Sequence, residues 1–167
     1  MEIIAIVGES GVGKDTFARM LSEVTGKPIL VSYTTRPRRE GEVNGREHIF
    51  VSTCKTPWRN MLAHCHYGGY EYWTELSQVK DSAIYVVDER TLVELRLNPR
   101  YNVTSILITR SRMNRMKSGI TLERMHRDSE RMLSPAYYKY SYIIQNEGTL
   151  EDLRETTQKL FGCNNNV

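Results

Sequence analysis

A chain of 167 residues holds one domain with a real hydrophobic core and is too short for two of ordinary size. Hydrophobic and charged contents of 40% and 26% exclude a disordered chain, and no internal repeat is visible, which excludes a solenoid. The net charge of +3 is too small to announce nucleic acid as a partner.

In chain order, EIIAIVG at 2–8 is a continuous apolar run, as a strand buried on both faces requires. Phe17, Met20, Leu21 and Val24 then recur at helical spacing until TGKP stops the helix. Further strands are predicted at 29–32 (ILVS), 83–88 (AIYVVD), 103–109 (VTSILIT) and 140–146 (YSYIIQN). Helices are predicted over 89–97, over 121–133 ending before Ser134-Pro135, and over 150–161, where TLED resembles a capping box. Strands alternating with crossover helices predict an α/β fold: three layers around a five-stranded parallel sheet. Residues 33–80 are polar, rich in Arg, Tyr and Gly, and too long for a plain crossover. They predict an inserted lobe at the carboxyl edge of the sheet, where ligands of open α/β sheets bind.

The longest apolar runs, IIAIV and IYVV, are far too short to span a membrane, and Met1 leads into strand-like sequence rather than a secretory signal. A cytoplasmic protein is the expectation, with no membrane and no nucleic-acid partner, either a monomer or a homodimer. Cys54, Cys65 and Cys163 are an odd number at unrelated spacings, so reduced thiols are expected rather than a disulfide framework. HCH at 64–66 invites a metal, but adjacent ligands do not easily close a tetrahedron, and zinc is not expected there.

GESGVGKDT at 8–16 carries the first chemistry. Gly8, Gly13 and Lys14 match GxxxxGK, with Gly11 as a further permissive position, and the motif has a strand before it and a helix after it. Glycines let successive N–H groups turn inward onto phosphate oxygens, the helix N-terminus adds positive potential, and the lysine reaches the terminal phosphates. Gly8, Ser10, Gly11, Gly13, Lys14, Asp15 and Thr16 are therefore the expected ATP contacts. Asp15 stands where Ser or Thr usually follows the lysine. Its carboxylate is a hard ligand for Mg²⁺, directly or through water, so Mg²⁺ is the expected cofactor and Asp15 its ligand.

SYTTRPRREGEVNGREHIFV at 32–51 resembles the nucleoside monophosphate-binding segment of the guanylate kinases, whose pattern runs S-x-T-T-R-x-x-R-x-G-E-x-[DN]-G-x-x-Y-x-F. Ser32, Thr34, Thr35, Arg36, Arg39, Gly41, Glu42, Asn44, Gly45 and Phe50 agree in order and spacing. Two arginines three positions apart can fork around a phosphate through bidentate charge-assisted hydrogen bonds. The resemblance implies that Ser32, Arg36 and Arg39 hold the acceptor phosphate, that Glu42 supports them, and that His48 replaces a phosphate-binding tyrosine. GYEYWTELSQV at 69–79 resembles the family stretch that aligns Tyr72 and Thr74 with acceptor-binding side chains, Thr74 reading guanine. Asp88 matches the acid at the guanine edge. Val86 stands in place of a second acid and Ala63 in place of the guanine-reading glutamate, which leaves base specificity open.

Between Arg110 and Arg131 there are seven Arg or Lys against three acids, a local excess of four. Arg112 and Arg115, in the polar stretch about 111–120, resemble the lid arginines of nucleoside monophosphate kinases. Arg124, Arg127 and Arg131 share one helical face, and Arg127 aligns with the family arginine that approaches both phosphates. Lys14, Arg112, Arg115 and Arg127 are thus the catalytic candidates implied, with Asn146 near the adenine. The resemblance implies one domain: a core of 1–32 and 81–167, an acceptor insert of 33–80 and a short lid. The activity implied is transfer of the γ-phosphate of Mg·ATP to GMP or dGMP. Two rivals are a kinase for monophosphates of other bases and a non-catalytic module that binds phosphorylated peptides.

Overall fold

The computed structural model describes residues 1–131 and 139–162. The predicted helix end at Ser134-Pro135, the side chain of Arg131 and Cys163 lie outside the described residues. The chain begins with β1 (Glu2–Val7), α1 (Lys14–Thr25), β2 (Tyr33–Thr34), β3 (Ile49–Phe50), β4 (Met61–Tyr67) and β5 (Tyr70–Glu75). It continues through β6 (Ser82–Val86), α2 (Glu89–Leu97), β7 (Asn102–Thr109), α3 (Arg112–Lys117), α4 (Leu122–Arg131), β8 (Tyr142–Gln145) and α5 (Leu150–Phe161).

β6, β1, β7 and β8 lie side by side in that order, all parallel. β1 is apolar without interruption because both its faces are covered. Ile3, Ala5 and Val7 join a core with Leu92 and Leu95 of α2, while Ile4 and Ile6 join another with Phe17 and Leu21 of α1 and Leu153 of α5. Each such side chain taken fully out of water stabilises the fold by about 1.5–3 kcal/mol. α1 ends where Gly26 turns left-handed and its N–H closes on Ser22 O. No helix among the described residues is long and apolar enough to cross a membrane.

The sheet has four strands, not the five expected. Residues 29–32 are reduced to a single bridge, Ile29 to Ile84. Leu30 N donates to Ile84 O and Ile84 N to Pro28 O, each at 2.8 Å, and the ladder stops there. Beyond it the chain bonds elsewhere: Val31 O accepts from Gln78 Nε2 and Ser32 O from Ile49 N. Those bonds draw the chain away from the parallel sheet and into a second one.

That second sheet occupies the insert, in the order β3-β2-β5-β4. β4 and β5 form an antiparallel hairpin closed by Gly68-Gly69, both at positive φ, as a two-residue hairpin turn demands. Tyr33 stacks on Trp73 across the β2–β5 pair, with ring centroids 5.4 Å apart. The polar stretch after β7 also differs from expectation. It folds as α3, capped by Ser111, whose side chain accepts from Asn114 N.

Candidate functional site

The loop between β1 and α1 follows from its glycines. Gly8 and Gly13 sit at φ 149° and 97°, and a Cβ at either would come within 2.4 Å of Ile108 O or 2.6 Å of Asn146 Nδ2. Gly11 lies against Ile120. Lys14 folds back over the curl and donates from Nζ to Gly8 O and Glu9 O, both at 2.9 Å.

Three distant side chains brace this loop. Asn146 donates from Nδ2 to Val12 O at 2.8 Å. Asp128 Oδ2 accepts from Ser10 N at 2.7 Å, and Arg115 donates from Nε to Ser10 O at 2.8 Å. Arg115 also pairs with Glu9 at 2.6 Å and with Asp128 at 3.4 Å, its side chain 4% exposed and that of Asp128 1%. Buried charges persist only when paired and hydrogen-bonded, and here both conditions hold. Asn146 thus lies behind the loop with its amide engaged, and Arg115 is a strut between loop, α3 and α4. Neither lines the cavities described below.

The second cluster lies on the lobe. Arg36 is buried and forms a bidentate pair with Glu42, at 2.8 and 3.0 Å, while its guanidinium sits over the Phe50 ring. Arg39 N donates to the same Glu42 carboxylate at 2.7 Å. The hydrogen bond from Arg36 holds the Glu42 carboxyl down at a pKa of about 2, so it is ionised at neutral pH. Ser32 Oγ and His48 Nδ1 share a 2.9 Å hydrogen bond, and Tyr72 meets the His48 ring edge to face. Burial pushes the His48 pKa down, and the nearby positive charge of Arg36 pushes the same way. Arg39 itself is exposed.

Loop and lobe meet across one cavity of about 260 Å³. Gly8, Ser10 and Lys14 of the loop, Ser32, Arg36, Arg39 and His48 of the lobe, and Ala63, Tyr72, Tyr85, Val86 and Asp88 all line it. A second cavity of about 610 Å³ is lined by Asp15 and Thr16 together with Arg36, Arg39, Glu42 and His48. Asp15 is exposed, at the first turn of α1. Asp88 caps α2, one oxygen accepting from Thr91 N at 2.8 Å. Thr74 is fully buried, its hydroxyl bonded at 2.6 Å to Tyr85 OH, so Tyr85 rather than Thr74 faces the cavity.

The basic stretch divides. Arg112 is exposed and lines neither cavity. Arg127 is exposed but lines the first, its guanidinium 5.2 Å from the Tyr67 ring centre. Arg124, absent from the site residues inferred from sequence, lines both, and its Nε is buried without a hydrogen-bond partner among the described residues. Its place one helical turn before Arg127 and Asp128 was the available signal. Such a guanidinium N–H is free to donate to an anionic acceptor.

A family model described as guanylate kinase matches residues 1–161. The chain is 33% identical over 111 residues to a guanylate kinase of Rhodopseudomonas palustris (strain HaA2), covering 59% of this chain and 50% of that protein. It is 28% identical over 186 aligned positions to one of Mesoplasma florum, covering 96% and 60%. The chain spans about half the length of the curated relatives it matches. Among solved structures, guanylate kinase from Anaplasma phagocytophilum superposes with a TM-score of 0.67 at 20% identity, over 95% of this chain and 82% of that one. A sugar kinase from Janibacter sp. HTCC2649 gives 0.52 at 16%, over 95% and 92%. At such identities the structures share the fold alone.

Proposed function

Because the chain belongs to the guanylate kinase family, we propose that it is an ATP-dependent nucleoside monophosphate kinase, moving the γ-phosphate of ATP to GMP or dGMP and releasing two diphosphates. One observation carries this reading: Lys14 and the Ser32–Arg36–Arg39–His48 cluster line the same cavity. Two anions placed there would present their phosphates to each other, and phosphoryl transfer depends chiefly on such positioning and on charge neutralisation. In this reading residues 33–80 form the acceptor lobe on a core of 1–32 and 81–167, and the segment around 111–120 belongs to the lid.

The braced loop offers its N–H groups to the donor phosphates, and Lys14 exchanges its two carbonyl acceptors for phosphate oxygens. Arg39 and the Ser32–His48 pair take the acceptor phosphate, with Arg36 held in place by Glu42. Arg124 and Arg127 line the same cavity, where they neutralise charge that develops on the transferring group. Arg115 serves this chemistry by holding the loop rather than by touching phosphate. Asp15 and Thr16 present hard oxygen donors beside the loop, a set that suits Mg²⁺, and these residues would hold the ion. When bound with ATP, Mg²⁺ supplies positive charge to the donor phosphates.

The base wall favours a second reading of the acceptor. Ala63 and Val86 both line the cavity and neither offers a hydrogen-bond acceptor. Asp88 keeps one oxygen beyond its capping bond, so a guanine edge meets one carboxylate here. A site that makes fewer hydrogen bonds to one base discriminates less against the others. A coupled assay of ADP release with Mg·ATP across GMP, dGMP, AMP, CMP and dTMP tests both readings. Turnover led by GMP or dGMP supports the first, turnover confined to other bases supports the second, and absence of turnover with every acceptor overturns both.

A further inference from the structure

On the β4–β5 hairpin, His64, His66 and Glu71 converge, His64 also lining the first cavity. Side chains alternate along a strand, so Ala63, Cys65 and Tyr67 point one way and His64 and His66 the other. Register then places Glu71 directly across from His66. Adjacent residues 64 and 65 could not share an ion, but residues 64 and 66 stand on one face, and the partner strand adds the oxygen ligand that spacing alone concealed.

The geometry suits a metal. Glu71 Oε1 lies 3.4 Å from His64 Nε2 and 3.9 Å from His66 Nε2, and the three ligand atoms all fall within 4.8 Å of one another. Ligands about 2.0–2.2 Å from a tetrahedral Zn²⁺ stand roughly 3.3–3.5 Å apart, so small rotamer adjustments close the set. His64 is held by its neighbours: its side chain is 8% exposed and the Trp58 ring packs edge-on against it at 4.8 Å. Two imidazoles and one carboxylate with open positions match a first-row transition ion such as Zn²⁺ and not Mg²⁺ or Ca²⁺, which prefer oxygen.

We propose that His64, His66 and Glu71 form a Zn²⁺ site on the β4–β5 hairpin of the lobe. The ion completes its shell with water and clamps β4 to β5. Glu71 also joins the hairpin to the next strand through its backbone: its carbonyl accepts from Thr34 Oγ1 and Thr35 N, and its N–H donates to Thr35 Oγ1. Arg36 follows at once, so the clamp stiffens the strand that leads into the Arg36–Glu42 pair. The binding site itself does not depend on the kinase reading.

Calorimetric titration of the full untagged chain with Zn²⁺ alone, without nucleotide, tests the site, with Co²⁺ visible absorption and quenching of indole emission as spectroscopic signatures. Expected are one ion per chain, a higher Tm with Zn²⁺, and quenching by Co²⁺ through Trp58. His66→Ala and Glu71→Gln should each weaken Zn²⁺ binding by at least about tenfold while leaving the metal-free Tm close to that of the parent. His66 is 68% exposed, and Glu71→Gln keeps the backbone bonds, so both variants fold. No stoichiometric binding below about 100 μM Zn²⁺, or binding that survives unchanged in either variant, overturns the proposal.

Discussion

In the proposed reading the glycine loop and the acceptor cluster both meet an anion, yet they are held in opposite ways. The loop uses backbone N–H groups, and its shape is fixed from outside by Asp128, Arg115 and Asn146, contacts that span 105 to 134 residues of sequence. The acceptor cluster uses side chains, and Arg36, Glu42, Ser32 and His48 orient one another within a segment of 17 residues. A backbone site must be rigid before the ligand arrives, because its donors cannot rotate to find it. A side-chain site needs only local partners, and its most exposed member, Arg39, can close on the ligand afterwards.

The contrast can be broken at several points. Lys14→Ala removes the positive side chain at the end of the loop, and kcat should fall by about 10³ or more with the fold intact. Near-normal turnover would contradict the donor assignment. Asp128→Ala touches no ligand, but it leaves Ser10 N and part of a buried guanidinium unpaired, so denaturant unfolding should register a loss of about 3 kcal/mol. A stability change within a few tenths of that of a surface mutant would show the brace to be dispensable. Arg124→Ala should lower kcat about 10²-fold, whereas Arg112→Ala changes little; equal effects would return Arg112 to the catalytic set.

The gentlest probe is pH. His48 has a folded pKa below its usual 6.5, so the folded state binds fewer protons there than the unfolded chain. The stability this gives is complete above about pH 6.5 and is lost as pH falls through the lower folded value. Denaturation midpoints recorded from pH 8 to 5 should therefore decline on the acid side, and His48→Asn should flatten that decline. An unchanged slope would mean that His48 is not the group responsible.

This difference in construction also explains what the sequence disclosed. Motifs whose members lie close in the chain were legible: the run from Gly8 to Lys14, the run from Ser32 to Phe50, and the apolar β1 strand with both faces covered. The struts were not, because nothing at Ser10 indicates that an aspartate 118 residues later will cap its N–H. The missing fifth strand was hidden for a similar reason. ILVS has strand character, but Gln78 Nε2 and Ile49 N bond to Val31 O and Ser32 O and tie its end to the lobe, contacts that exist only in three dimensions. The burial of Thr74 against Tyr85 was equally invisible in the sequence. Gly68-Gly69 did announce a hairpin, and reading it would have placed His64 and His66 on one face.

The central claim is that donor and acceptor phosphates are held in one cavity, by the loop and by the lobe. Calorimetric titration with an adenosine–guanosine pentaphosphate, which joins the two nucleotides through five phosphates, tests it most directly. The account predicts one molecule bound per chain, with affinity reduced at least tenfold by Lys14→Ala in the loop and by Arg39→Ala in the lobe, each loss reflecting about 1.5–3 kcal/mol of charged hydrogen bonding. Two molecules bound per chain, or an affinity indifferent to either substitution, would contradict it.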